Sequence, residues 1–208
     1  MERFAQEGSR LMSVRVIEMY GRQLDKLSEI IDKTNDRVIS DPPDELFADN
    51  INFYTKSYLI NLCAITEACL KDTAMVVVRA MIDRISSANI SNNIVFWGVF
   101  KDGFDEKKHS KFEKFALSIT EKSVSDKLSA NPWRAIKLFE LLGCDIKKNA
   151  DFEAVKGIIA SVVDKRNNIV HHNDQANDIS LSDVKAYIDF FRVYIYSIDE
   201  SSKSLIVP

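Results

Sequence analysis

Apolar residues return every three or four positions through four long stretches of the chain. In the first, from about Leu11 to Val38, a single stripe carries Val16, Met19, Tyr20, Leu24, Leu27, Ile30 and Ile31. That spacing predicts an amphipathic helix. Asp41-Pro42-Pro43 ends it, since proline lacks a backbone donor and pushes the residue before it out of the helical region. A second helix is expected from about Phe47 to Ser87, with a break near Asn50-Ile51-Asn52. Leu59, Leu62, Cys63, Thr66, Cys69, Leu70, Thr73, Val76, Val77, Ala80 and Met81 hold its period. Tyr58, Ile65 and Val78 make its other faces apolar as well, the pattern of a helix with neighbours on several sides.

The later half repeats the motif. Asn131 can cap and Pro132 can open a short helix from Trp133 to Leu142, with Gly143 as its stop. Phe152 to about His172 follows, with Val155, Ile158, Ile159, Val162, Val163, Ile169 and Val170 on one side. Ser180 or Ser182 then caps a last helix striped by Val184, Tyr187, Ile188, Phe191, Tyr194, Ile195 and Ile198. Between Ser86 and Ser129 the pattern is weaker: a turn at 89–93, a short strand or helical piece from Ile94 to Trp97, a loop at 101–103 and a short amphipathic helix around Phe112, Phe115, Ala116 and Ile119. The expected fold is all-α: an up-and-down helical bundle of four long helices with a shorter helical insertion. No repeat or linker divides it, so residues 1–208 read as a single domain.

Composition narrows the function classes. Hydrophobic residues are 46% and charged residues 28% of the 208, enough apolar surface to offset the entropy of ordering the chain. A formal charge of -3 excludes a globally basic nucleic-acid coat, so any polyanion contact has to be local. The longest greasy run, Ala74 to Val78, is stopped by Arg79 and is far too short to span a membrane. The start of the chain lacks the apolar core of a secretory signal. The expectation is a cytoplasmic protein without membrane contact. Cys63, Cys69 and Cys144 are odd in number and lack zinc-ligand spacing, so they read as reduced core thiols, with neither metal nor other cofactor implied.

Chemistry is concentrated in one segment. Arg166 falls in the middle of the apolar stripe that starts at Val155, where a permanent charge is costly unless it is paired or faces a wet cleft. A break of pattern at a core-facing position marks a candidate site. Pairing with a buried glutamate, or a stripe that reaches solvent at that turn, would explain the same residue without function. Asn167 and His171 are four apart and share a flank. The adjacent His171 and His172 could equally serve as cationic side chains at a helix C-terminus. Glu67, near the edge of the second helix's stripe, can be a solvated flank residue, pair with Arg166 or polarise a histidine. Trp97 and Trp133 read as core or interface anchors rather than base-stacking platforms, and 105–109 as a solvated charge run.

Arg166-Asn167-Asn168-Ile169-Val170-His171 resembles the R-N-x-x-x-H signature of the HEPN superfamily, small helical bundles that carry this motif shortly before a final helix. The segment Tyr58 to Asp72, with Glu67 inside it, is similar to the acid-bearing second helix of several bacterial HEPN families. Asn131 to Gly143 resembles the short helix before the motif helix in standalone bacterial HEPN nucleases. The resemblance implies a metal-independent endoribonuclease, a toxin or phage-defence effector that cleaves RNA by 2′-hydroxyl attack and leaves a 2′,3′-cyclic phosphate. It assigns proton transfer to His171, with His172 as the alternative, and binding of the scissile phosphate to Arg166. Asn167 would orient the histidine or the phosphate, and Glu67 would support the site. It also implies RNA as substrate, a homodimer with the site at its interface, and control by an antitoxin or other regulatory protein. The alternative is a non-catalytic HEPN-like module that binds a nucleotide or a partner protein.

Overall fold

The structure is a computed structural model describing residues 2–88, 90–91, 94, 119–172 and 178–206, for residues 2–12 and 172 the backbone alone. Its long helices are α1 (Glu2–Val38), α3 (Ile51–Ser87), α6 (Ala150–His172) and α7 (Leu181–Ile206). Shorter ones are α2 (Glu45–Ala48), α4 (Glu121–Ser125) and α5 (Pro132–Leu141), with a 3₁₀ turn at Ile146–Lys148. This is the expected all-α bundle. Most of the expected insertion, including Trp97, the 105–109 charge run and Phe112 to Phe115, lies outside the described residues.

Cross-helix pairs set the directions. Thr34 meets Tyr58 at 2.6 Å and Tyr20 donates to Asp72 at 2.7 Å, so α1 and α3 are antiparallel. Ser13 with Asp199 at one end, Arg192 with Asp25 in the middle and Lys185 with Asp32 at the other make α1 and α7 antiparallel. Asn149 donates to the Ser197 carbonyl, and Phe152 stacks on Tyr194 one turn further. The four long helices therefore run up, down, up and down. Their facing stripes form one core that includes Leu24, Leu59, Ile159 and Phe191, joined by Phe139 of α5.

Local signals explain the helix ends. Asn131 Oδ1 accepts from the Trp133 amide at 2.9 Å, with Pro132 opening α5. Gly143 closes it at φ 86°, a left-handed conformation that costs glycine little. The α7 cap is Ser180 rather than Ser182: its hydroxyl accepts from the Asp183 amide at 3.1 Å, while the Asp183 carboxylate accepts from Ser180 N at 2.8 Å. This reciprocal box holds the Asp183 carboxyl below its ordinary range through the Ser180 hydrogen bonds. Asn149 caps α6, accepting from Asp151 and Phe152 at 3.0 and 3.1 Å, so the helix starts two residues before the apolar pattern does. The expected break in the second helix falls at Asp49 and Asn50, between α2 and α3.

The stripes are corrected in detail. On α1 the inward line is Ile17, Tyr20, Leu24, Leu27 and Ile31, whereas Met19 and Ile30 face outward. Trp133 is exposed and does not belong to the core. From Thr73 to Val78 every side chain of α3 is buried, as its all-round apolar composition predicts.

Asp199 is buried beneath α1 with its carboxylate accepting from the Ser13 hydroxyl at 2.5 Å. Burial pushes its carboxyl above the ordinary range, against the Ser13 hydrogen bond and the Lys203 ammonium. A raised folded-state value means that its contribution to stability is complete below about pH 4, its unfolded range, and is lost as pH rises through the folded value. Asp199→Asn keeps the acceptor and removes the charge. Urea titrations from pH 4 to 8 should show wild type losing stability relative to this variant as pH rises; parallel curves would exclude the effect.

Candidate functional site

The continuous helix α6 carries the motif, and its apolar line is what presses Arg166 against α3. Val162, Val163 and Ile169 are buried there, and Arg166 and Asn167 are half-buried between them. The guanidinium cannot neutralise itself by losing a proton, so it needs a partner at the helix contact. Glu67 of α3 supplies one, with Oε2 3.3 Å from Arg166 Nη2. Asn167 Oδ1 accepts from Arg166 Nη1 at 3.1 Å. With the pair 22% and 40% exposed in its side chains, it sits at the edge of the bundle: partly shielded from water, yet within reach of a solute.

Cys63 is the neighbour that pattern reading missed, because its spacing fits a plain core residue. It lies one turn before Glu67 on the same face of α3, and its thiol is buried and free. Burial pushes the thiol up to about 11, while the adjacent Arg166 guanidinium pulls the other way. The thiol therefore stays protonated at neutral pH. Arg166 Nε is buried without a hydrogen-bond partner among the described residues.

The histidine stands apart. His171 is exposed near the end of α6. Five residues from Arg166, it projects about 140° around the helix axis. The structure thus brings together Arg166, Asn167 and Glu67, adds Cys63, and leaves His171 on another face of the same helix. The His172 side chain lies outside the described residues. Among the described residues no cluster of three or more histidine, cysteine, aspartate or glutamate side chains could hold a metal ion, and no helix is long and apolar enough to cross a membrane. The arginine is anchored by a carboxylate and an amide, and a guanidinium held in this way is chemically suited to an anion such as a phosphate.

Residues 20–204 match the model of the RiboL-PSP-HEPN family, and the chain belongs to that family. No curated protein and no solved structure matches it significantly.

The Arg166–Glu67 contact is partly solvated, so its coupling is expected to be modest. A double-mutant cycle with Arg166→Met and Glu67→Gln, read by urea denaturation, should return about 1 kcal/mol. A coupling indistinguishable from zero would mean that the two side chains are held by the packing of α3 and α6 alone.

Proposed function

We propose that this protein is a metal-independent HEPN endoribonuclease, acting as a toxin or defence effector, with residues 1–208 working as one domain. The observation that carries the reading is Arg166: a charge in the apolar line of α6, anchored by Glu67 and Asn167 at a solvent-reachable edge. A guanidinium so placed binds the scissile phosphate and stabilises the charge that develops there. His171 supplies the proton transfer. The 2′-hydroxyl attacks the adjacent phosphorus, the 5′-oxygen of the next nucleotide leaves with a proton, and a 2′,3′-cyclic phosphate remains.

Because Arg166 and His171 diverge on one helix, the active unit in this reading is a homodimer. Each α6 faces its counterpart, and the arginine of one protomer works with the histidine of the other. An antitoxin or other regulatory protein would hold such a nuclease in check. A second reading, a non-catalytic HEPN module that binds a nucleotide or a protein, is favoured by the same divergence: within one protomer Arg166 is tied to Glu67 and His171 points elsewhere.

Total RNA and tRNA incubated in EDTA with the wild type, Arg166→Ala and His171→Ala separate these readings. The nuclease yields fragments with 2′,3′-cyclic phosphate ends, and each substitution slows cleavage at least 100-fold, about the scale of one general acid–base or oxyanion contact. Intact RNA in every lane, from a folded dimer, would favour the binding module. Sedimentation of the wild type should give twice the monomer mass; a monomer that still cleaves would overturn the shared site.

A further inference from the structure

An aromatic side chain stands in the open on α5, close to the same helix that carries Arg166. Trp133 is 52% exposed, although its helix buries Ala135, Ile136, Leu138 and Phe139 beneath it. Indole is among the larger apolar groups a protein can bury, so leaving it in water forgoes stabilisation. Its surroundings are cationic. Lys156 of α6 places its ammonium 5.6 Å from the centre of the ring. Arg134 and Lys137 are exposed on α5 itself, one and four residues further on. Arg134 is braced by donating to the Asp126 carbonyl at 2.8 Å. Lys156 is also paired with Glu153.

The position of Lys156 ties this patch to the candidate site. Lys156 and Asn167 are eleven residues apart on one unbroken helix, which brings them within about 20° of the same face and about 16 Å of each other along the axis. Between them Ala160 is half-buried and uncharged, while Val163 is buried and takes no part in the surface. An aromatic face with lysines and arginine around it is what single-stranded nucleic acid uses: bases stack without sequence preference while cations follow the backbone.

We infer that Trp133, with Arg134, Lys137 and Lys156, is a stacking subsite for one base of a single-stranded RNA, a few nucleotides from a scissile phosphate at Arg166. The placement of the phosphate rests on the ribonuclease reading; the stacking subsite does not. The subsite accounts for how a protein of net negative charge holds RNA locally, and it confines substrates to strands with an unpaired base at that distance from the cut.

The test is binding of a short, fluorescein-labelled 2′-O-methyl oligouridine, which cannot be cleaved by 2′-hydroxyl attack, measured by anisotropy alongside cleavage of total RNA. Wild type should bind. Trp133→Ala should weaken binding roughly 5- to 150-fold, the scale of one base–aromatic stack, and Trp133→Phe should restore most of it. Lys137→Ala should reduce the slope of log affinity against log salt by about 0.7, the loss of one phosphate contact on a single strand. Each variant's thermal melt by circular dichroism should match wild type, since all these positions are exposed. Binding that is absent in wild type, or equal in wild type and Trp133→Ala, overturns the subsite. Tryptophan-dependent binding without cleavage of any RNA would leave the subsite standing and remove the ribonuclease reading; cleavage with binding indifferent to Trp133 would do the reverse.

Discussion

The last helix has to be covered from three sides at once, and most of the bundle follows from that requirement. Val184, Ile188, Phe191, Tyr194, Ile195 and Ile198 of α7 are all buried, and α7 packs against α1, α3 and α6. No single neighbouring helix can cover a stripe that wide. Burial of such side chains is worth about 1.5–3 kcal/mol each relative to exposure, so the arrangement that satisfies α7 decides where the other helices lie. Polar groups carried inward by that packing are matched in place: Ser13 donates to Asp199, Asn149 to the Ser197 carbonyl and Cys144 to the Ser201 carbonyl. The antiparallel course of α6 against α7 is one consequence, and it sets which face of α6 turns toward α3.

Arg166 is the point at which the same packing meets chemistry. Its helix is pulled inward by Val162, Val163 and Ile169, so the guanidinium is carried to the α3 contact whether or not it is wanted there as a structural element. A carboxylate from α3 compensates it, but at the margin of the bundle rather than in its centre. A fully buried pair would be inert toward solutes, and a fully exposed one would be screened and mobile. The intermediate burial is what makes an anion-binding role chemically sensible. The same pairing that anchors an arginine for work equally well neutralises an arginine that does none.

Much of the architecture is legible in the sequence. The four stripes, the Asn131-Pro132 start, the Gly143 stop and the break before α3 are local matters, decided by side-chain period and by a few residues whose backbone preferences are strong. The errors have a physical cause too. Met19 and Ile30 are apolar but face outward, and Trp133 is exposed, because hydrophobicity alone does not say which side of a helix finds a neighbour. In the candidate site, Arg166 stood out as a charge in an apolar line, and Glu67 was one of its open partners. Cys63 did not stand out, because a small residue that fits the stripe carries no signal of what crosses over it from another helix.

What the sequence determined by itself was therefore one-dimensional: which segments are helical, where they begin and end, and that Arg166 breaks its own pattern. The tertiary structure decided the rest. It chose Glu67 and Asn167 as the arginine's partners, set Cys63 beside them, turned His171 to another face and left Trp133 in solvent. The reason is that a helix's period fixes angles about its own axis only. Which angle meets which neighbour depends on how the other three long helices share the covering of α7, and no single segment contains that information.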